Sequence, residues 1–365
     1  MRTAGHHRGD GTAGETTPIG GEAEPMTGGD AVASGPAPSW LLPLGLFSAL
    51  VPLCGLSLLA GQVSLDPGQV LAGLAGTGDE AYGLIVWHLR VPRTLLAVLV
   101  GTSLGLAGAV LQGLLRNPLA EPGLIGISTT AALGAVLVFY GGFAAVFILA
   151  LPLGGMAGAA VSVVLLMGLS GRGASTFTLI LAGVAVNSLA GALTALALNL
   201  SDNPYAATEI IFWMLGSLAD RGFDHVWIAT VFMLPGWLLM LGTGRAMDAL
   251  TLGEETAASL GFNLASLRWR SVLGTALAVG AAVSVSGAIG FIGLMVPHLL
   301  RPLVGHQPGR LLLASAIGGA LLLVVTDIAV RLLPTEVELK IGVMTALLGA
   351  PFFFFLLWKM RRTQQ

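Results

Sequence analysis

The sequence that decides the fold reads TLLAVLVGTSLGLAGAVLQGLL over residues 94–115 and continues as RNPLAEPG over residues 116–123. The first part is uncharged and apolar, and it is about long enough to cross a bilayer as a helix. The second part combines two prolines, an amide, a basic residue and an acidic residue, which hydrocarbon rejects. Another apolar run follows over residues 123–140. We therefore predict two spanning helices joined by a stiff polar turn that contacts something other than lipid.

The composition indicates a membrane protein throughout. Of the 365 residues, 55% are hydrophobic and only 10% are charged, and the mean hydropathy is +0.86. A soluble protein of this size carries about 25% charged residues, so most of this surface is expected to face lipid. The net charge of −2 is uninformative by itself, and no segment is basic enough for nucleic-acid binding. The single cysteine, Cys54, excludes an intrachain disulfide and a cysteine-rich metal site.

Charged and glycine- or proline-rich breaks divide the chain into a tail and about ten spans. Residues 1–39 lack apolar periodicity and are predicted to be a disordered cytoplasmic tail rather than a cleaved signal peptide. The eighth span is short and contains Pro297, so nine or ten spans are expected. A short apolar helix near residues 208–218 is predicted to be interfacial. The predicted spans are 40–60, 94–114, 123–141, 144–168, 176–198, 226–244, 269–287, 291–304, 310–331 and 340–358.

The basic residues orient these spans. With the N-terminus inside, the inner segments hold twelve of the 17 Lys and Arg residues and the outer segments hold five, which favours both termini in the cytoplasm. A shift of 179 residues also matches Gly108 with Gly287 and Pro118 with Pro297. Because the matched spans run in opposite directions, we predict an all-α polytopic fold with an inverted repeat. Packing glycines shared without common ancestry are the alternative.

The sequence holds no energy source of its own. It contains no G-x-x-x-x-G-K-[ST], and neither Lys340 nor Lys359 follows a glycine loop. Asp327 is the one candidate for an ion relay, but Arg331 follows four residues later, which favours a structural ion pair or a position near the outer surface. The histidines lack metal-ligand spacing, so neither a metal nor a cofactor is expected. Energy must come from a partner.

The longest polar stretch between predicted spans is the candidate contact with that partner. It covers residues 245–270. Thr251 and Glu254 have the spacing of a capping box, and Gly261 has the position of a C-terminal stop. These signals predict a short helix of about residues 251–261 at the cytoplasmic face. An ordinary solvated loop helix is the alternative, but signals at both ends and a mixed apolar and acidic face favour a docking element.

Six segments of the chain resemble one family of proteins. They are LRVPR at 89–93, GAVLQ at 108–112, NPLAEPG at 117–123, GEETA at 253–257, GAIGFIGLMVPH at 287–298 and GVMTALLGAPF at 342–352. The resemblance is to the iron-chelate and cobalamin permeases of type II ABC importers. It implies a ten-helix permease domain over residues 40–360, similar to the vitamin B12 importer permease. It also implies a second permease subunit (a second copy or a paralogue), two ATPase subunits, and a periplasmic substrate-binding protein.

The resemblance implies three sets of site residues. The set for ATPase coupling is Leu252, Gly253, Glu254, Glu255, Ala257, Leu260 and Gly261. The set for docking of the binding protein is Arg90, Arg93 and Arg331, since guanidinium groups pair bidentately with carboxylates. For Arg90 and Arg93, interfacial snorkelling is the alternative. The set for the cytoplasmic gate is Asn117, Leu119, Thr176 and Phe177, where Phe177 either gates or packs.

The resulting prediction is a permease in the bacterial inner membrane, not an enzyme, that moves a bulky iron chelate by alternating access. A ferric siderophore is the leading cargo. Haem and cobalamin are alternatives, because selection in the family lies mainly in the binding protein. A self-sufficient secondary carrier or channel is an alternative of a different class, and the absence of relay carboxylates argues against it.

Overall fold

A computed structural model describes residues 40–143, 147, 149–170, 176–201, 204–335 and 337–363. The predicted tail, residues 1–39, lies outside these residues. The described chain is built from helices. A π-helical segment, Ile85–Arg90, joins α3 to α4, and a 3-10 turn, Arg301–Val304, follows α13. The α-helices are α1 (Leu41–Leu59), α2 (Pro67–Ala75), α3 (Glu80–Leu84), α4 (Val91–Leu114), α5 (Ile127–Tyr140), α6 (Ala150–Ser170), α7 (Thr176–Asn199), α8 (Pro204–Met214), α9 (Phe223–Leu241), α10 (Gly244–Leu250), α11 (Glu254–Ser259), α12 (Leu264–Ser286), α13 (Ile292–Leu300), α14 (Pro308–Leu332) and α15 (Ile341–Thr363).

Seven helices of the described chain are long and apolar enough to cross a membrane. They are Leu41–Leu59, Glu80–Leu114, Ala150–Leu169, Phe177–Asn199, Phe223–Leu241, Leu264–Ser286 and Pro308–Leu332. Three shorter apolar helices, Ile127–Tyr140, Ile292–Val304 and Ile341–Leu356, lie at the other three predicted spans. The predicted all-α polytopic fold is thus confirmed.

Several predicted boundaries differ from those of the structure; the seventh span, for example, begins at Leu264 instead of residue 269. The third span begins at Ile127 instead of residue 123, because the preceding residues form turns and Gly126 takes a φ of 77°. The interfacial helix lies at Pro204–Met214 rather than 208–218. Proline fits the first position of a helix, and the left-handed Gly216 shortly after the end prevents its continuation.

Helices α4 and α12 lie at the centre of the fold. In each of them 78% of the most apolar 18-residue stretch is buried within the chain, whereas the corresponding share is only 17% in α1. Helix α4 packs most extensively on α14 and also contacts α12, α13 and α9. The central position of α4 agrees with the weight that the sequence analysis gives to residues 94–115.

Glycines bring the backbone of α4 directly against its neighbours. A Cβ atom on Gly105 would overlap the carbonyl oxygen of Ser315 in α14, and one on Gly108 would overlap that of Gly293 in α13. Small residues at such positions let apolar helices approach closely in a membrane, where packing replaces the hydrophobic effect as the force between them. These glycines therefore set the distances between α4, α13 and α14.

The 179-residue match does not pair equivalent conformations. Gly108 lies inside α4, whereas Gly287 follows the end of α12 with a φ of 72°. Pro118 lies in a turn after α4, whereas Pro297 lies inside α13. Helix α12 thus ends several residues before the position that matches the end of α4. The matched glycines serve helix packing in one case and a sharp turn in the other.

Replacing Gly108 with Ala should destabilise the protein by about 1–3 kcal/mol, because the added methyl group has no space and must push α4 away from α13. The measurement is thermal or denaturant unfolding of the purified protein in detergent. Gly55→Ala in α1 is the matched control, since nothing lies within 4 Å of its Cβ position, and it should not lower the stability, because alanine is the better helix former. Equal stability of Gly108→Ala and the wild type would contradict the packing argument.

Candidate functional site

The predicted site residues fall in three regions of the structure. We call residues 244–263 the coupling turn and residues 115–126 the gate turn. We call the third region the arginine cluster, which consists of Arg90, Arg93, Asp327, Arg331 and Glu338. The first two regions follow α9 and α4, and the third lies at the opposite end of α4.

The coupling turn contains two short helices separated by three residues, the last of which is Gly253. Gly253 takes a φ of 108°, which residues with side chains rarely adopt, and α11 begins directly after it. Helix α11 ends in two reversed hydrogen bonds, from Gly261 N–H to the carbonyl of Ala258 (2.9 Å) and from Phe262 N–H to that of Ala257 (3.1 Å). This is the Schellman arrangement. The predicted stop at Gly261 is confirmed.

The predicted capping box is wrong. The hydroxyl of Thr251 donates to the carbonyl oxygen of Asp248 at 2.6 Å, so it closes α10 instead of opening α11. The N-cap of α11 is Gly253, which has no side chain to accept a hydrogen bond. The left-handed glycine separates Thr251 from α11, and this helix is therefore Glu254–Ser259 rather than about 251–261.

Glu254 joins the coupling turn to two other elements. Its Oε2 accepts a hydrogen bond from Arg268 of α12 at 3.0 Å, and its Oε1 lies 3.8 Å from Nη2 of Arg116 in the gate turn. About half of the Arg116 side chain is exposed, so this second contact is the weaker one. Glu254, which the sequence analysis places in the set for ATPase coupling, thus also holds the coupling turn in place.

The other coupling residues divide between the core and the surface. Ala257 is fully buried and packs the turn against the membrane helices. Leu252 and Leu260 are exposed by 64% and 59%, and Glu255 is exposed as well. Two leucines and a carboxylate on a short, fixed element form a surface that an apolar groove with a basic rim would fit.

Asp248 anchors the coupling turn to α14, which the sequence analysis missed. Its carboxylate accepts from the backbone N–H of Gly309 at 2.7 Å and from the side-chain amide of Gln307 at 2.9 Å. The first N–H groups of a helix lack partners within the helix, and a negative charge is favourable there. The start of α14, with Gln307 as its N-cap and no side-chain cap of its own, is the signal that indicates a distant acceptor.

The gate turn connects α4 to α5 without a helix. Arg116 takes a φ of 47°, and the side chain of Asn117 accepts from the N–H of Leu119 at 2.9 Å. Further turns follow, with hydrogen bonds from the N–H groups of Ala120 and Leu124. Non-helical backbone beside a bilayer is stable only where the chain satisfies its polar groups in this way.

Glu121 ties the gate turn to the start of α13. Its carboxylate accepts a hydrogen bond from the N–H of Phe291, the left-handed residue before α13. Burial raises the pKa of the Glu121 carboxyl, and this hydrogen bond opposes the rise. The ring of Phe291 in turn lies against Gly349 of α15. The sequence analysis noted Glu121 as polar but did not identify this contact.

The predicted gate residues occupy two elements. Asn117 and Leu119 are half-buried in the gate turn, and Thr176 begins α7. Phe177 exposes 68% of its surface, so it does not pack in the core of this chain. The far end of the gate turn does reach α7, where Ile125 lies against Gly183. The gate role of these residues stays a prediction.

Two arginines of the arginine cluster donate hydrogen bonds to carbonyl groups at the end of α1. Arg90 is only 5% exposed, so its guanidinium does not snorkel to water. Arg331 is buried as well, and its Nη2 also donates to the hydroxyl of Ser57. Carbonyl groups in the last turn of a helix have no partner within the helix, and these two side chains supply it. The accepting carbonyls are those of Leu58, Leu59 and Val63 for Arg90, and those of Ser57 and Ala60 for Arg331.

Arg93 lies between two carboxylates. Its Nε donates to Asp327 at 2.9 Å, and its two terminal nitrogens donate to the two carboxylate oxygens of Glu338. Asp327 is fully buried and also pairs with Arg331 at 2.6 Å, which confirms the predicted structural pair. A buried carboxylate requires such partners. All three arginines predicted for docking are thus engaged within the chain.

The chain is similar to known proteins over most of its length. The sequence profile of the FecCD transport family matches residues 49–359. The chain belongs to this family. The vitamin B12 import system permease protein BtuC of Salmonella arizonae is 40% identical over 324 residues, which are 88% of this chain and 95% of that protein. BtuC of Salmonella typhi is 39% identical, with coverage of 88% and 96%.

A solved structure described as an inward-facing conformation of a metal-chelate type ABC transporter matches the permease with a TM-score of 0.78. The two are 32% identical, and the match covers 87% of this chain and 99% of the other. The protein is therefore a multi-pass transport permease of the metal-chelate and vitamin B12 type of ABC importer.

The stability of the permease should depend on pH through Glu121. Because its pKa is raised in the folded state, folding favours the protonated form, and stability falls as the pH rises through the raised pKa. The melting temperature should therefore drop more between about pH 5 and about pH 8 in the wild type than in Glu121→Gln. Thermal scans in one detergent at both pH values measure the difference.

Glu121→Ala is the companion variant. It leaves the N–H of Phe291 without its acceptor, so it should lower the stability by about 1–3 kcal/mol at about pH 5, and by less at about pH 8, where the wild type itself loses stability through Glu121. An identical pH dependence in the wild type and in Glu121→Gln would show that Glu121 is not buried as described.

Proposed function

We propose that this permease moves a metal chelate across the bacterial inner membrane by alternating access, driven by ATP hydrolysis on partner subunits. The observation that carries the proposal is the coupling turn. It is fixed to the membrane helices through Asp248 and Glu254, and it exposes Leu252, Glu255 and Leu260. An element with a rigid base and an apolar outer surface suits transmission of movement from an ATPase.

The proposed assembly contains two permease subunits, two ATPase subunits and one periplasmic substrate-binding protein, in the lipid bilayer. The charge bias along the chain supports both termini in the cytoplasm. Helix α4 then separates the gate turn on the cytoplasmic side from the arginine cluster on the periplasmic side by about 36 Å, from its 24 residues at 1.5 Å each. In this assembly the binding protein docks at the face that holds Arg90, Arg93 and Arg331, all three of which are engaged within the free chain.

We propose cobalamin as the cargo. The identity of 40% to a vitamin B12 permease over 95% of its length supports this choice over the ferric siderophore that the sequence analysis favours. Haem is the third candidate. Within the described residues no group of three or more His, Cys, Asp or Glu side chains could hold a metal ion.

Uptake into proteoliposomes tests the cargo. The complete transporter, with its ATPase and binding-protein subunits, should accumulate cyanocobalamin in an ATP-dependent way and should not accumulate a ferric siderophore or haemin at the same concentration. Uptake of the siderophore without uptake of cyanocobalamin would reverse the cargo assignment. Uptake of any of the three without ATP would favour the secondary carrier.

The double substitution Leu252→Ala and Leu260→Ala should weaken assembly with the ATPase subunits at least tenfold, because about 1 kcal/mol or more of apolar burial is lost at each position. Size-exclusion chromatography and ATP-dependent uptake measure the effect. Glu255→Lys is a second variant, which reverses the charge on the same surface. Leu71→Ala is the control, since Leu71 is 65% exposed on α2, at the opposite side in the proposed topology. Normal assembly of the double variant would contradict the coupling role.

A further inference from the structure

Glu338 occupies the edge of the Arg93 guanidinium that a carboxylate of a docking partner would need. The guanidinium of Arg93 has two edges: Nε and one terminal nitrogen contact Asp327, and both terminal nitrogens contact Glu338. The second contact is the bidentate geometry that arginine forms with a carboxylate from another protein. Only 11% of the Arg93 side chain is exposed while Glu338 holds this position.

The two carboxylates on Arg93 differ in how easily they can leave. Asp327 is fully buried in α14 and also holds Arg331, so its removal would leave Arg331 without a carboxylate partner and Arg93 with Glu338 alone. Glu338 is 22% exposed and belongs to the loop between α14 and α15. Glu338 can therefore move toward water while Asp327 continues to compensate the charge of Arg93.

A cavity beside Glu338 gives access to Arg93. Its volume is about 220 Å³, and it lies between the end of α1, the start of α4 and the loops before α9 and α15. The charged side chains that line it are Arg90, Arg93, Asp220, Arg221, Arg331 and Glu338. Arginines outnumber carboxylates on these walls, so the cavity favours an additional negative group.

We propose that Glu338 is an exchangeable counter-ion, which holds Arg93 in the free permease and gives up its place to a carboxylate of the substrate-binding protein during docking. The inference rests on the proposed docking role of Arg93. One bidentate pair replaces another in the exchange, so the largely buried guanidinium is never left without an anion. Glu338 then competes with the partner, and the apparent affinity is reduced by the fraction of permease in which Arg93 is occupied.

The competition can be measured without a partner. The probe is p-hydroxyphenylglyoxal, which modifies accessible guanidinium groups, and peptide mass spectrometry reports the rate at each arginine of the permease in nanodiscs. Glu338→Gln retains the size of the side chain but loses its charge, so Arg93 should react at least fivefold faster. Arg90 should react as in the wild type, because its partners are backbone carbonyls. Equal rates at Arg93 would overturn the proposal.

Two variants control this measurement. Glu80→Gln removes an exposed carboxylate from α3, which leads directly into the π-helical segment. It should leave the modification rate of Arg93 unchanged. Glu338→Asp retains the charge on a shorter side chain and should give an intermediate rate. A rate with Glu338→Asp as high as with Glu338→Gln, together with a similar increase in Glu80→Gln, would show loosening of the fold instead of exchange and would overturn the proposal.

Binding of the transporter's own substrate-binding protein separates the exchange from the docking role. Arg93→Gln should weaken binding, Glu338→Gln should strengthen it about three- to tenfold, and the gain should vanish when both are combined. If Arg93→Gln weakens binding but Glu338→Gln leaves it unchanged or weaker, the docking role holds and the exchange is overturned. If Arg93→Gln has no effect, the docking role itself fails, and the exchange fails with it.

Discussion

The contact on which the structure depends is the backbone approach of α4 to α14. Gly105 lies against Ser315, and Gly101, four residues earlier, lies against Gly319, four residues later. The same antiparallel register, continued by eight more residues in each direction, brings Arg93 to Asp327. The glycines therefore do more than shorten a distance. They fix which residues of the two helices face each other, and the buried ion pair follows from that register.

Pairing of charges is the second constraint, and it acts at the ends of the helices. The carboxylate of Asp248 accepts a hydrogen bond from a backbone N–H at the start of α14. Arg331, near the other end of α14, donates to the last carbonyls of α1. Both placements agree with the helix dipole, since the acidic group is at an N-terminus and the basic group near a C-terminus. The chain has few charged residues. Most of those in its described core join elements that are far apart in sequence. Glu121 at Phe291 does the same for the gate turn.

The sequence predicts what local patterns encode. Long apolar runs gave the spans, the position of Gly261 gave the end of α11, and the four-residue spacing gave the pair of Asp327 with Arg331. The contacts of Arg93 with Glu338 and of Asp248 with Gly309 were not predictable, because they depend on the register between helices rather than on spacing within one. Inward and outward guanidinium groups also look alike in a sequence, so burial of the three arginines predicted for docking emerged only from the fold.

The gate turn is the place where these constraints meet. It begins where α4 ends, it reaches α13 through Glu121, and it faces the coupling turn through Arg116 and Glu254. A partner can shift the populations of two conformations only through contacts that differ between them. The contact of Glu121 is buried and already made. That of Arg116 with Glu254, at 3.8 Å and partly exposed, has room to tighten or to open. Of the two contacts of the gate turn, the one with the coupling turn is therefore the more adjustable.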